Sequence, residues 1–391
     1  VTFNIIKRLI INILNLPLYI VSKIIPKTKD IWVFGSWFGH KYADNSRYLF
    51  EFINENKPFI RAVWLTEDKE TFNYLRKKGY EVYYTYSIYG YYISSRSTIS
   101  FVSTDFKDVN RFVPTPIIFY LGHGIPLKKI GYDDSINFSD GRRFTGKLLK
   151  LLFPFLRNMN DYDYILASSN VDATTLASAF RKNMADILIL GLPRNDVFFM
   201  RSNLRSYESD NLKIVYLPTH RKEGSNNFFN FFVDDLKFVD KDLEKLKAKL
   251  FIKFHFYHGD SHLSLNSYKQ IKPLEVDDIH SVINNFDILI TDYSSIYIDF
   301  LLTEKPIIFF PFDYEDYIEN DRELYHDYNR VTPGPKCKDW SEVIRWIEKF
   351  KENPSLFLEE RRAIKRLFHR YSDGKNSERV FEYVEHEILH K

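Results

Sequence analysis

Short runs of β-branched and aromatic residues recur along the chain, separated by stretches with helical periodicity, and this alternation constrains the fold more than any other feature. Asp30 to Gly35 (DIWVFG), Arg61 to Leu65 (RAVWL), Glu81 to Tyr84, Thr98 to Val102, Ile117 to Leu121, Tyr164 to Ala167 and Ile187 to Leu190 read as strands. Most are apolar throughout rather than alternating, as expected of strands covered on both faces. Strands alternating with helices then argue for parallel sheets. A polar stretch from Arg201 to Asn211 interrupts the series. It resumes with Lys213 to Leu217 (KIVYL), Leu250 to Phe254, Asp287 to Thr291 and Pro306 to Phe310, and the last helices are expected from Ser341 onward. At 391 residues the chain exceeds one ordinary core and suggests two domains. The expected organisation is an α/β fold of two doubly wound, Rossmann-like halves facing across a cleft, residues 29–195 and 196–391, preceded by a separate segment, residues 1–28.

That first segment, Ile5 to Ile25 (IIKRLIINILNLPLYIVSKII), is mostly apolar, with Lys7 and Arg8 early and Lys23, Lys27 and Lys29 late. No small-x-small cleavage site follows, which argues against a secretory signal. Asn12, Asn15 and Pro17 interrupt the run, which argues against a spanning helix. A helix lying in the headgroup plane, apolar face inward and basic residues at an anionic surface, fits the pattern. An ordinary core helix would show the same amphipathicity.

Charge and cysteine content narrow the partners. Fifty-five basic residues face 52 acidic ones, and a net charge of +3 gives no footprint for nucleic acid. A single cysteine, Cys337, excludes an internal disulfide framework and a Cys-rich metal site, and fits a reducing, intracellular location.

In doubly wound sheets, ligands sit beyond the carboxyl ends of the strands, so the residues just after each strand carry the candidates. Asp292-Tyr293-Ser294-Ser295 links a hydrophobic strand to an apolar helix. Ser294 or Ser295 could cap that helix, and its first backbone N–H groups would suit a phosphate. The alternative is a cap and nothing more. In YLGHGIPLKKIGYD, His123 stands between two glycines at a strand end, a position suited to a general base or merely to a loop histidine. KIVYLPTHR ends a strand with Thr219, His220 and Arg221, whose planar guanidinium suits phosphate. FIKFHFYH places Lys253, His255 and His258 at another strand end; His255 and His258 lack a third ligand at zinc spacing. Lys128, Lys129, Arg142, Arg143, Lys147, Lys150 and Arg157 form a basic stretch interleaved with LLKLLFPFL. It reads either as a groove for an anionic acceptor or as a solvated helix face.

Taken together these blocks resemble the CDP-glycerol glycerophosphotransferase family, which includes teichoic-acid primases and polymerases and capsule polyol-phosphate transferases. The resemblance runs from about Ile31 to Tyr383. It is carried by FGSWFGHKYADNSRYLFEF, LGHGIPLKKIGYD, GLPRND, YLPTHR, KFHF, DILITDYSSIYIDF, KPIIFFPFDYEDY and TPGP, in that order. It implies a GT-B-like fold with an N-terminal acceptor half and a C-terminal nucleotide half, working at the cytoplasmic face of the bacterial membrane. It further implies His123 as catalytic base and His255 as the second family histidine, with Arg221, Thr219, Asp292, Ser294 and Ser295 around the donor phosphates. Lys128, Lys129, Arg142, Arg143, Lys147 and Lys150 would then line the acceptor and membrane side. The implied donor is CDP-glycerol or CDP-ribitol, the acceptor a lipid-linked or polymeric polyol phosphate or glycan, and no metal or other cofactor is expected. The chain departs from the family pattern at Gly122, where tryptophan is common, at His220, where an aromatic is usual, and at Phe256, where proline is frequent. Two rival readings are a GT-B glycosyltransferase acting on a nucleotide sugar and a membrane-binding scaffold without activity.

Overall fold

The computed structural model describes residues 2–134, 149–200, 211–219, 235–253, 265–315, 317 and 323–389. These fall into two compact units: residues 1–123, 131–196 and 373–391 in the first, and residues 124–130 and 197–372 in the second.

The first unit is built on seven parallel strands: β1 (Thr28–Gly35), β2 (Arg61–Thr66), β3 (Val82–Tyr84), β4 (Ser97–Val102), β5 (Ile117–Tyr120), β6 (Tyr164–Ala167) and β7 (Ile187–Ile189). Their order is β3-β2-β1-β4-β5-β6-β7. Helices α1 (Thr2–Ile24), α2 (Asp44–Asn56), α3 (Lys69–Lys77), α4 (Ile88–Arg96) and α5 (Asn170–Phe180) belong to the same unit. The abundant aromatic residues build the sheet's interior. Phe34 pairs in register with Phe101, and Phe101 with Phe119, so a row of rings crosses β1, β4 and β5. The Phe34 and Phe101 rings stack at 4.7 Å. All three are fully buried, which removes a large apolar area from water. Local signals start the helices: the Asp68 carboxylate accepts the Thr71 N–H at 2.6 Å to cap α3, and the Ser169 hydroxyl caps α5.

The second unit has five parallel strands: β8 (Leu212–Leu217), β9 (Ala248–Ile252), β10 (Ile271–Pro273), β11 (Ile288–Thr291) and β12 (Ile307–Phe309), ordered β10-β9-β8-β11-β12. Helices α6 (Leu236–Lys245), α7 (Ile296–Phe300), α8 (Trp340–Glu352) and α9 (Leu358–Phe368) accompany it. Leu236, Val239 and Leu243 of α6 and Trp340, Val343 and Ile347 of α8 share one core with the strand residues Ile214, Leu250 and Ile290. In both sheets the strand order reverses once, between β1 and β4 and between β8 and β11. At such a reversal neighbouring loops diverge, and the crevice left beyond the strand ends is where ligands bind in this class of sheet.

Three departures from the sequence reading have physical causes. The final helix, α10 (Asn376–Tyr383), belongs to the first unit, whereas everything after residue 195 was assigned to the second half. Phe381 is wholly buried there, its ring 5.6 Å from that of Trp32 on β1. In the other direction, residues 124–130 pair with the second unit, Tyr325 donating its N–H to the Leu127 carbonyl at 3.0 Å. Strand β10 was missed because it is short, ends in proline and sits at a sheet edge, where the apolar pattern weakens.

Helix α1 packs on one side, as a core helix would, and leaves its other side exposed. Tyr19, with Ile11 and Leu16, packs against Phe112, Phe153 and Phe155, and the Tyr91 hydroxyl of α4 bonds the Asn15 side chain. The opposite side exposes Ile10, Ile13, Leu14, Ile20, Val21 and Ile24, with Leu14 67% and Ile24 80% exposed. Among the described residues no helix is long and apolar enough to cross a membrane.

Candidate active site

In the first unit the polar residues gather at the β1/β4 reversal and at the neighbouring end of β5. The chain leaves β5 through Leu121 and Gly122, whose φ of 71° lies in the left-handed region that glycine adopts without strain, and reaches His123. The imidazole is exposed, with Nδ1 3.2 Å from the Ser103 carbonyl oxygen just past β4. Its backbone is clamped from three sides. The Asn45 amide donates to the carbonyls of Leu121 and Gly122, both at 2.9 Å. The Arg194 guanidinium donates through Nη1 to the His123 carbonyl at 2.6 Å and to the Asp44 carboxylate at 2.8 Å. The second Asp44 oxygen accepts the Trp37 indole N–H, and the Trp37 ring lies 5.9 Å from the imidazole.

The loop after β1 is unusual in its backbone. Trp37, Phe38 and Asp44 all have positive φ, 49°, 57° and 60°, a region costly for side-chain-bearing residues and concentrated at functional sites. Fixed partners hold it: the Trp37 N–H donates to the Thr104 hydroxyl and the Phe38 N–H to the Asp108 carboxylate. Asp108 is fully buried and accepts three further N–H groups, from Ser103, Thr104 and Asp105. Burial pushes its pKa up to about 7, against the opposing pull of those four donors. Gly35 must be glycine here, because a Cβ would come within 1.8 Å of the Asp108 carbonyl oxygen.

The second unit assembles its polar groups at the β8/β11 reversal. Thr219, two residues past β8, donates both its N–H (2.9 Å) and its hydroxyl (2.6 Å) to Oδ1 of Asp292, the residue that follows β11. Asp292 is completely buried, and its carbonyl accepts the Tyr328 hydroxyl at 3.0 Å. Ser294 and Ser295 are half-buried at the start of α7. Ser295 takes the N-cap position with no side-chain capping bond, and α7 is one short stretch, Ile296–Phe300, that tightens directly into a 3₁₀ turn. Of the two serines offered as a cap, Ser295 holds the position without making the bond. Buried groups hold α7 from behind: His369 donates to the Ile298 carbonyl at 2.7 Å, and His280 stands 3.2 Å from Asp299 and 3.4 Å from Asp278.

The structure thus brings Thr219 and Asp292 into direct contact and sets Ser294 and Ser295 immediately after them. His123 lies in the first unit, and His220, Arg221, His255 and His258 lie outside the described residues. Of the basic stretch, Arg142, Arg143 and Lys147 are also outside them. The described members are not one free surface. Lys129 pairs with Glu323 and Lys128 covers the Tyr317 ring at 5.1 Å in the second unit, whereas Lys150 pairs with Asp161 at 2.5 Å in the first. Asp44, Asn45, Asp108 and Arg194 were not singled out from sequence as site residues. Asp44, Asn45 and Arg194 stand inside quoted blocks, ADNSR and GLPRND, and those blocks were the available signal; nothing local marks Asp108.

The sequence profile of the CDP-glycerol:poly(glycerophosphate) glycerophosphotransferase family matches residues 18–386. A teichoic acid glycerol-phosphate transferase of Staphylococcus aureus (strain NCTC 8325 / PS 47) is 25% identical, over 97% of this chain and 99% of its own length. A teichoic acid ribitol-phosphate primase of Bacillus spizizenii (strain ATCC 23059 / NRRL B-14472 / W23) is 27% identical over 58% of this chain and 59% of its own. Among solved structures, the wall teichoic acid polymerase TagF superposes with a TM-score of 0.79 at 22% identity, covering all of this chain and 97% of that one. Its fold is the fold described above.

Proposed function

Because the chain belongs to the CDP-glycerol:poly(glycerophosphate) glycerophosphotransferase family, we propose that it transfers glycerol phosphate or ribitol phosphate from a CDP-polyol to a hydroxyl of a teichoic-acid or capsule-type polymer or its lipid-linked primer. An acceptor hydroxyl gives its proton to His123 and attacks the polyol-bearing phosphorus. The new P–O bond forms as the bond to the bridging oxygen breaks, and CMP departs. Such a reaction asks the protein mainly for positioning and for stabilisation of charge on the phosphate oxygens. The observation that carries the reading is the exposed imidazole of His123 on a backbone clamped at three successive carbonyls. That arrangement fits a base that must be fixed in place yet open to substrate. Thr219 and Asp292 define the donor side, with Arg221, His255, Ser294 and Ser295 assigned to the phosphates by the resemblance. The exposed apolar side of α1 supports attachment to the cytoplasmic face of an anionic membrane, where a lipid-linked acceptor is presented. With cationic side chains on the phosphates, the reaction as proposed uses no metal.

The test is CMP release from CDP-glycerol and CDP-ribitol in turn, with a membrane acceptor, in buffer and in EDTA. Release should be acceptor-dependent, selective for one donor, unchanged by EDTA and lowered on the order of 10²–10⁴-fold in His123→Ala. Unchanged turnover in the variant removes His123 from the role of base. Loss in EDTA restored by Mg²⁺ overturns the metal-free scheme, and release of a nucleoside diphosphate from a nucleotide sugar replaces the reaction altogether.

A further inference from the structure

Among the described residues no carboxylate stands against Nδ1 of His123, the usual partner that fixes a catalytic histidine's tautomer. Its partner is a peptide group. The Ser103 carbonyl faces Nδ1 at 3.2 Å, and the N–H of that same peptide, on Thr104, donates to Asp108 Oδ2 at 2.6 Å. One amide thus has the histidine on its oxygen and a carboxylate on its nitrogen.

The geometry points to Asp108 as the positioning residue for His123, acting as its carboxylate partner through the intervening Ser103–Thr104 peptide. A carboxylate hydrogen-bonded to an amide N–H polarises the amide, and its carbonyl becomes a stronger acceptor; chains of hydrogen bonds reinforce one another in this way. The reinforced carbonyl holds the Nδ1–H tautomer and leaves the Nε2 lone pair for the acceptor proton. The imidazolium formed when Nε2 takes that proton is stabilised by the same chain. No proton crosses the peptide: Nδ1 keeps its hydrogen throughout, and the proton on Nε2 later returns to solvent.

Other features suit the role. Oδ2 also receives the Ser103 and Asp105 N–H groups and Oδ1 the Phe38 N–H, so the carboxylate cannot rotate away from the bridging peptide. Asp108 Oδ1 thereby ties the loop carrying Trp37, whose ring flanks the imidazole, to the loop carrying the bridging carbonyl. The Ser103 hydroxyl is fixed separately, against the Ser46 N–H and hydroxyl of α2. Among the described residues, the charged groups on the elements packed around His123 include Asp44 and Arg194, paired with each other, Lys41 over the Trp37 ring and Lys107 over the Phe38 ring. Around Asp108 the ionisable neighbours are Asp105 on its own turn and the buried phenols of Tyr120 and Tyr162.

The inference rests on His123 being the base, and two measurements separate the two claims. The first needs no activity. In the full-length wild-type protein, ¹⁵N NMR of labelled histidine, assigned by difference with His123→Gln, should show neutral His123 protonated on Nδ1. A predominant Nε2–H form overturns the relay. The second is the pH–rate profile of Asp108→Asn, a substitution of equal size, with wild-type and His123→Ala as references. Loss of the carboxylate should lower the plateau roughly 10–100-fold, as for other outer partners of functional imidazoles. It should also change the acidic limb, because the buried group whose own pKa is pushed up to about 7, and whose charge acts on the bridging peptide, no longer titrates. A lower plateau with an unmoved limb means a purely structural role and overturns the proposal, as does an unchanged profile. If Asp108→Asn fails to fold, the tautomer decides alone. If His123→Ala keeps its turnover, the base assignment falls, whatever tautomer is found.

Discussion

Arg194 shows what a residue-level reading gains from the structure. It is 3% exposed, and one of its nitrogens serves both the Asp44 carboxylate and the His123 carbonyl. Removing one member of a buried, hydrogen-bonded ion pair leaves the other charge desolvated and alone. Arg194→Ala should therefore lower unfolding free energy by about 3–5 kcal/mol, read from urea titration. Arg194→Lys should restore only part of it, since an ammonium lacks the planar spread of donors. A loss below about 1 kcal/mol in the alanine variant would mean that water replaces the guanidinium and that the pair is not structural. The sequence disclosed His123 because its two glycines and its strand-end position are local signals. It showed the members of the clamp only as the separate blocks ADNSR and GLPRND, because partners 150 and 71 residues apart meet only once the sheet exists. Asp108 was silent for the same reason: its meaning lies in four backbone donors, and backbone donors leave no trace in residue type.

At the scale of elements, the strands were the legible part. Their interiors are buried, so several carry an unbroken apolar stretch, IWVF in β1, AVWL in β2 and IVYL in β8, and the ends found here differ from the expected ones by a residue or two. Short helices were less legible. Nothing in IYIDFLLTEK announces that α7 stops at Phe300, since the turn at Glu304, with φ 58°, is held from outside by Arg362 and Lys365. Helix α1 was readable as amphipathic but ambiguous in purpose, and the ambiguity was real: one side packs and the other remains apolar and exposed. The proposed membrane attachment makes that second side testable. Leu14→Glu with Ile24→Glu should reduce flotation with phosphatidylglycerol vesicles by tenfold or more, on the order of 1 kcal/mol per buried methylene being forfeited at the surface. The melting temperature should hold, because neither side chain is buried in the protein. Undiminished flotation would remove α1 from the membrane contact.

At the scale of the whole molecule, two doubly wound sheets were expected and found, and the residue-195 division came from a polar stretch that is easy to see. The return of α10 to the first unit was not visible. An amphipathic helix advertises that it has a buried face, never which sheet will bury it. Phe381 carries that return, with its ring 5.6 Å from Trp32 and the Lys57 ammonium 4.5 Å from its centre. Phe381→Ala should destabilise the first unit by about 3–5 kcal/mol in chemical denaturation, while CDP-glycerol affinity, placed here on the second unit, stays within twofold. Equal loss of both would mean that the two units do not respond independently.

The same return fixes an order of events during synthesis. Every residue of the second unit, through Ser372, leaves the ribosome before the segment that completes the first. Trp32 is translated early, yet the ring that covers it arrives some 349 residues later, by subtraction of 32 from 381. The domain begun first is therefore finished last. Until then the nascent chain carries an open apolar flank on β1, with Trp32 uncovered on the side that Phe381 will close.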